Sequence, residues 1–325
     1  MSDEAYFDDL EFYEAKFSRL PKGRKGVKRK HDARPERALE DAGIAEPTGA
    51  AAAWTMTYVP ARFEATWLRA SLASFYQEEW ILDVLARVKG GKEANVYRCH
   101  AHPNTDEHLL AAKVYRPRPF RNLRNDKAYR DGRDILTPHG HAVKRADQRV
   151  MRAVGKKTSF GKHVSHTSWL MHEFTTLERL YQLGAAVPKP VAVNENALLM
   201  SYVGDEHQAA STLKGVRLSV REAQRLWEEL LRNIELMLAQ GYIHGDLSAY
   251  NILYWDGTIT LIDFPQVSYA ATNRNARALF ERDVTRVCDY FVAQGVALQA
   301  HQIAAALWDR HVNVDPDSTV LETNE

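Results

Sequence analysis

His244-Gly245-Asp246-Leu247-Ser248-Ala249-Tyr250-Asn251, followed by Leu261-Ile262-Asp263-Phe264, is the stretch on which the reading of this chain turns. Phosphoryl transfer needs a carboxylate to accept or orient the nucleophile's proton, and oxygen ligands for the magnesium that spreads the phosphate charge. Asp246 and Asn251 stand in an Asp-x-x-x-x-Asn spacing, and Asp263 closes a predicted strand over Thr258 to Ile262. A lone Asp-x-x-x-x-Asn is more often a pair of turn caps. With His244 in front and Ile262-Asp263-Phe264 behind, the catalytic reading outweighs the structural one.

Working toward the N-terminus, Val88-Lys89-Gly90-Gly91-Lys92-Glu93-Ala94-Asn95-Val96-Tyr97 places two glycines between predicted strands. Glycines there let backbone N–H groups approach phosphates that a side chain would block. This makes Gly90, Gly91, Lys92, Glu93, Ala94, Asn95 and Val96 candidates for nucleotide contact. Paired glycines alone are usually turns, but Ala111-Ala112-Lys113-Val114-Tyr115 follows, a strand lysine in the context that sets an ammonium on nucleotide phosphates. Its bland alternative is a lysine that snorkels to solvent. Lys113 calls for a carboxylate partner. Glu173, on the helix expected over Trp169 to Leu183, is the first candidate, and Glu178 on the same helix is the second. Met200-Ser201-Tyr202-Val203 ends the last strand of the first half, where a hinge offers backbone groups to adenine; ordinary core strand is the competing reading.

The surrounding pattern fits. Strands are expected around Gly90-Gly91, at Leu109 to Tyr115, Val187 to Val193 and Ala197 to Val203. A capped helix is expected after Ser219 (with Glu222 three residues on) and stops at Gly241. Two more helices are expected at about Asn275 to Gln294 and Leu298 to His311. A strand-rich half with one helix, then a helix-rich half, predicts an α+β, two-lobed protein-kinase-like fold. The expected division is a disordered acidic and basic tail over 1–53, with a short helix near Phe7 to Phe17, and a helical extension over 54–80. An N-lobe over 81–203 with a flexible basic loop at 116–165 follows, then a C-lobe over 204–315 and a tail over 316–325.

Composition sets the outer bounds. The chain has 325 residues, 45% hydrophobic and 26% charged, with net charge +1, an ordinary globular balance. No apolar run reaches the roughly 20 residues a membrane span needs. The acidic N-terminus is unlike a secretory signal. Two cysteines, Cys99 and Cys288, build no disulfide framework. A cytoplasmic protein is expected. Basic residues cluster at Lys22 to Lys30 and again from Arg116 to Lys162, including Arg118, Arg121, Arg124, Lys127, Arg130, Arg133, Lys144, Arg145, Arg149, Arg152, Lys156 and Lys157. A ribosomal subunit or RNA as partner and a merely solvated loop are about equally favoured. Cys99, His100, His102 and His108 match no zinc spacing.

Gly91-Lys92-Glu93-Ala94-Asn95-Val96-Tyr97, His244-Gly245-Asp246-Leu247-Ser248-Ala249-Tyr250-Asn251-Ile252-Leu253 and Ile262-Asp263-Phe264-Pro265-Gln266 resemble the signature segments of the RIO family of atypical serine/threonine protein kinases, from about Leu82 to Gln294. The resemblance implies a reduced kinase fold without an activation segment or peptide-docking helices. It implies ATP and Mg2+ as cofactors, with Mn2+ as a substitute, and autophosphorylation or ATPase activity, with a role in ribosome assembly. Asp246 would be the proton acceptor, Asn251 a magnesium ligand, and Asp263 a second ligand and an aspartyl-phosphate site. Three features depart from the family: Gly90 replaces a usual Thr, Ala249 replaces a common Glu, and the insertion after Lys113 matches only loosely in sequence. Two rival readings remain: a small-molecule phosphotransferase of the aminoglycoside or choline kinase type, and an assembly factor switched by ATP with hydrolysis as its main output.

Overall fold

In the computed structural model, residues 54–116, 133–144 and 147–313 are described. The expected N-terminal tail with its short helix, the C-terminal tail, and Arg118, Arg121, Arg124, Lys127, Arg130 and Arg145 lie outside them. The described residues divide into two compact units.

The first unit is built on a five-stranded antiparallel sheet in the order β1-β2-β3-β5-β4. Its strands are β1 (Ile81–Gly90), β2 (Ala94–Ala101), β3 (Leu109–Tyr115), β4 (Pro190–Val193) and β5 (Ala197–Ser201). Helix α1 (Arg62–Gln77) lays Trp67, Leu68, Leu72 and Phe75 on one face of this sheet, against Tyr97, Cys99, Ala101, Leu110, Ala112, Val114, Ala197 and Leu199. These positions alternate along each strand, as the two-residue period of a pleated strand demands. The edge of β1 is covered by the chain ahead of α1: Tyr58 donates its N–H to Val84, the Trp54 indole donates to the Leu82 carbonyl, and Thr57 bonds Asp83. That contact occupies an edge which would otherwise template strand pairing.

The expected flexible loop over 116–165 is corrected in its second half. Helix α2 (Gln148–Gly155) lies within it, capped by Asp147, whose carboxylate accepts from the N–H groups of Arg149 and Val150. Helix α3 (Ser159–Gln182) begins at Ser159 rather than Trp169. Hydropathy does not reveal the stretch from Ser159 to Ser168 because its buried positions are largely polar: His166, Thr167 and Ser168 are all buried. Ser168 Oγ accepts from Leu136 N–H at 2.9 Å and His172 Nε2 meets the Asp134 carbonyl at 2.8 Å, so these residues hold the preceding segment instead of an apolar neighbour. Gly161 marks close contact between the two helices: a Cβ there would sit 1.9 Å from the Ala153 carbonyl oxygen. A small cluster of Val143, Val150 and Val164 closes this corner.

The second unit takes the last turns of α3 and the chain from Val203 onward. It contains α4 (Val220–Ala239), α5 (Ala276–Ala293) and α6 (Ala300–His311). Its strands are β6 (Ser211–Thr212), β7 (Tyr242–Ile243), β8 (Ile252–Trp255), β9 (Thr258–Leu261) and β10 (Ser268–Tyr269), paired as β6-β8-β9 and β10-β7. Ser219 caps α4 by accepting the Glu222 N–H, and Gly241 ends that stretch at φ +72°, as a left-handed terminator should. Leu226, Trp227, Leu230, Ile234 and Met237 form its buried stripe.

Candidate active site

In the first unit, Lys113 on β3 meets Glu173 on α3, Nζ to Oε1 at 2.5 Å, with 9% and 2% of the two side chains exposed. Glu178 was the second candidate, and the ion pair falls to Glu173. The other oxygen of Glu173 accepts the Tyr115 hydroxyl, and Tyr115 in turn packs edge-on against Trp169 of α3. The carboxylate is thus fixed from both sides, a support no local motif announces.

The β1–β2 turn is tight: Gly91 N–H bonds the Ala94 carbonyl at 2.9 Å, and a Cβ on Gly91 would lie 2.7 Å from that oxygen. Lys92 is exposed at its tip. Cross-strand partners share a face of a sheet. Val96 pairs with Lys113 and Lys113 with Leu198, so Val96 and Lys113 lie on one face. Asn95 pairs with Val114 and lies on the other, under α1. Its amide is 1% exposed; Nδ2 donates to Tyr97 and Glu64, and Oδ1 accepts from Arg116. Met200 pairs with Ala111, and Tyr202 lies beneath the Arg98 guanidinium, 6.0 Å from its ring centre. Val203 opens the second unit.

In that unit, Asn251 Nδ2 donates to the Asp246 carbonyl at 2.9 Å and to Asp246 Oδ2 at 3.3 Å. Asp246 Oδ1 meets Arg286 of α5 at 2.8 Å, with both groups partly open to solvent. His244 spans the two motifs. Its Nδ1 accepts the Asp246 N–H and Nε2 meets the Ile262 carbonyl at 3.1 Å, which assigns the proton to Nε2. Its ring packs on Phe264, 4.7 Å between centres. Asp263 itself has φ +73°, a conformation non-glycine residues adopt at a cost and which tends to occur at functional positions.

Asp283 on α5 escaped sequence reading. It is 2% exposed, its Oδ2 accepts the Gly245 N–H at 2.7 Å, and it also takes the Leu247 N–H, so it grips the backbone on both sides of Asp246. Burial pushes its carboxyl up to about 6 despite neighbouring Arg282. Gly245 has φ +81°, and a Cβ there would fall 2.3 Å from the Gln266 carbonyl oxygen, so only glycine fits. Arg133, one of the basic residues assigned to a partner-binding loop, donates instead to the Pro265 and Val267 carbonyls just after Asp263 and Phe264. Asp283 lies inside an amphipathic helix far along the chain from the loop it holds, where nothing distinguishes it from any polar helix residue.

The donor set bears on a metal. Asn251 spends its amide nitrogen on Asp246, and Asp263 carries a carboxylate close by in sequence. One or two protein oxygens suit magnesium, which keeps water and substrate phosphates as its other ligands. Among the described residues no cluster of three or more His, Cys, Asp or Glu side chains could hold a metal, and both cysteines are buried and unpaired with each other.

A strand-rich unit carrying a lysine–glutamate pair and a helix-rich unit carrying the Asp246, Asn251 and Asp263 motifs define a two-lobed protein-kinase-like fold. A family model for the RIO domain matches residues 95–303. The chain belongs to the RIO family. It is 32% identical over 210 residues to a RIO-type serine/threonine-protein kinase Rio1 of Haloferax volcanii, covering 64% of this chain and 63% of that protein. It is 29% identical over 227 residues to the serine/threonine-protein kinase RIO1 of Chaetomium thermophilum (66% and 40%), and 27% identical over 219 residues to that of Homo sapiens (67% and 35%). The match thus spans less than two thirds of each of these relatives. Among the described residues no helix is long and apolar enough to cross a membrane.

Proposed function

We propose that the protein is an ATP- and Mg2+-dependent serine/threonine phosphotransferase of RIO type, acting on itself or on another protein. The observation that carries this reading is the dry 2.5 Å pair of Lys113 and Glu173 on the same sheet face as Val96, in a chain that also carries the Asp246, Asn251 and Asp263 arrangement. Lys113, held by Glu173, sets a positive charge on the nucleotide phosphates. The backbone of Gly90 to Ala94 approaches those phosphates, and Met200 to Val203 offer backbone groups to adenine. Asp246, oriented by the Asn251 amide and by Arg286, accepts the proton of the attacking hydroxyl. Asn251 and Asp263 would hold magnesium, which neutralises charge on the phosphates when bound.

Incubation with γ-labelled ATP tests this. Label on serine or threonine in the protein, stable to neutral hydroxylamine and absent in Asp246→Asn, supports it; label released by neutral hydroxylamine and absent in Asp263→Asn points to an aspartyl-phosphate on Asp263 instead. ATP consumption with no labelled protein under any condition would favour the hydrolysis-driven switch. Transfer to aminoglycosides or choline would replace the reading. A polyanionic partner such as ribosomal RNA is part of the proposal: Lys144, Arg149, Arg152, Lys156, Lys157 and Lys162 are all exposed on and beside α2, where phosphates would displace counterions.

A further inference from the structure

Glu64 stands in the first turn of α1, ahead of the residues the family model matches. It is 8% exposed on a helix face otherwise lined by Trp67, Leu68, Leu72 and Phe75. Burying a carboxylate among such residues costs several kcal/mol unless hydrogen bonds compensate. The bonds it makes converge from both strands of the β1–β2 hairpin. Tyr97 Oη donates to Oε1 at 2.5 Å and Asn95 Nδ2 donates to the same oxygen at 3.3 Å. Tyr58 donates to Oε2 at 3.2 Å, and Arg87 of β1 meets that oxygen at 3.5 Å. Burial and the hydrogen bond to Glu64 hold the Tyr97 hydroxyl well above its ordinary range, so it stays a donor. Asn95 then passes the contact on: its Oδ1 accepts Arg116 Nη2 at 3.0 Å, while the Arg116 N–H bonds the Glu93 carbonyl inside the turn at 2.9 Å.

We propose that Glu64 is a positioning residue for the phosphate-contacting turn, fixing through Asn95, Tyr97 and Arg87 the backbone that Gly90 to Ala94 present to ATP. The inference rests on the nucleotide reading of that turn and deepens it. Asn95 acts in this arrangement from the α1 face of the sheet and not by touching phosphate, because its side chain lies on the face opposite Lys113. A clamp of this kind acts on the part of the ligand that meets the turn. Loss of Glu64 therefore weakens ATP while sparing adenosine, which has no phosphates to place; general loosening of the unit weakens both.

The test compares binding of ATP and of adenosine by titration calorimetry for wild type, Glu64→Ala, Asn95→Asp and the double variant Glu64→Gln/Asn95→Asp. Glu64→Ala is expected to lose roughly tenfold or more in ATP affinity, the scale of a lost charge-assisted hydrogen bond, with adenosine unchanged. Asn95→Asp sets two carboxylates against each other and should lose ATP similarly. The double variant moves the carboxylate to position 95 and the amide to position 64, keeps the net charge, and should recover most of the affinity. Should Glu64→Ala fail to fold, the comparison of Asn95→Asp with the double variant decides alone. Equal loss of ATP and adenosine, unchanged ATP affinity, or a double variant no better than Asn95→Asp overturns the clamp. A wild type that binds adenosine as tightly as ATP overturns the nucleotide reading of the turn, and the clamp with it.

Discussion

Lys113 and Glu173 form their 2.5 Å ion pair almost out of water, with the Tyr115 hydroxyl on the second glutamate oxygen. Removing one charge strands the other. Glu173→Gln should lower unfolding free energy by about 3–5 kcal/mol, the usual result of breaking a buried pair, and abolish turnover. The double variant Lys113→Met/Glu173→Met should regain most of that stability, because two apolar side chains need no partners, yet remain inactive. Denaturant unfolding alongside ATP turnover checks both halves, and a stable, active double variant would remove the pair from the chemistry.

Asp246 and Asp263 should fail differently. Asp246→Asn gives up the Arg286 ion pair but keeps the bond from Asn251 to the backbone carbonyl at 246, and should bind Mg-ATP nearly as well as wild type, while turnover falls by ~10²-fold or more, the scale of a lost general base. Asp263→Asn removes the charged carboxylate proposed to hold magnesium and should lose metal-dependent nucleotide binding as well as turnover. Calorimetric titration with and without magnesium separates them. The opposite pattern would exchange the two roles.

Asp283 predicts a pH dependence in two opposed senses. Its carboxyl lies near 6 in the folded protein against an ordinary 3.8, so the folded state takes up a proton before the unfolded one does. Its contribution to stability is therefore fully present below about pH 4 and is lost as pH rises through about 6. Turnover should move the other way, falling as pH drops through about 6, because a protonated carboxyl accepts the Gly245 and Leu247 N–H groups more weakly. Asp283→Asn should lower turnover at neutral pH and flatten that acid limb. A limb that persists unchanged in Asp283→Asn would belong to another group.

Gly245→Ala should act through the same loop. The new Cβ meets the Gln266 carbonyl oxygen at 2.3 Å, and φ +81° already disfavours any side chain. Loss of at least ~1–3 kcal/mol in stability is expected from the strained backbone alone, with turnover falling further as Asp246 shifts. Thermal melting and turnover at one temperature measure both.

Neutralising Lys144, Arg149, Arg152, Lys156, Lys157 and Lys162 together should leave autophosphorylation within a few-fold, since distant exposed charges are screened by salt at a Debye length of about 8–10 Å. RNA binding should weaken and lose much of its salt dependence. Filter binding across a salt series reads this, and unchanged binding with collapsed turnover would assign these cations to the active site.

The local signals were legible where one residue type does one job. β3 runs over Leu109–Tyr115 as its apolar run indicated, α4 begins at its Ser219 cap, and Gly241 stops it. Lys113 and its glutamate could be named because strand and helix contexts point at each other. What stayed hidden acts at a distance from its own neighbours in sequence. Asp283 holds Gly245, Arg286 meets Asp246, and Glu64 holds Asn95 and Tyr97. Each sits in an amphipathic helix where a charged residue ordinarily signals solvent. The start of α3 is hidden for the complementary reason: His166, Thr167 and Ser168 are buried, and Ser168 bonds backbone, so the first turns lack the apolar stripe that periodicity detects.

The alternation along β2 makes this strand a partition between two tasks. Residues that point one way meet α1, and those that point the other way share the side of Lys113. Slipping β2 by one position would drive Arg98 and His100 into the apolar layer and expel Tyr97 and Cys99, a trade the sheet resists. Extra residues between Gly91 and Ala94 are therefore expelled into the turn, where they lengthen the tip without exchanging the two sides. The tip can thus change length while each side of the strand keeps its own residues.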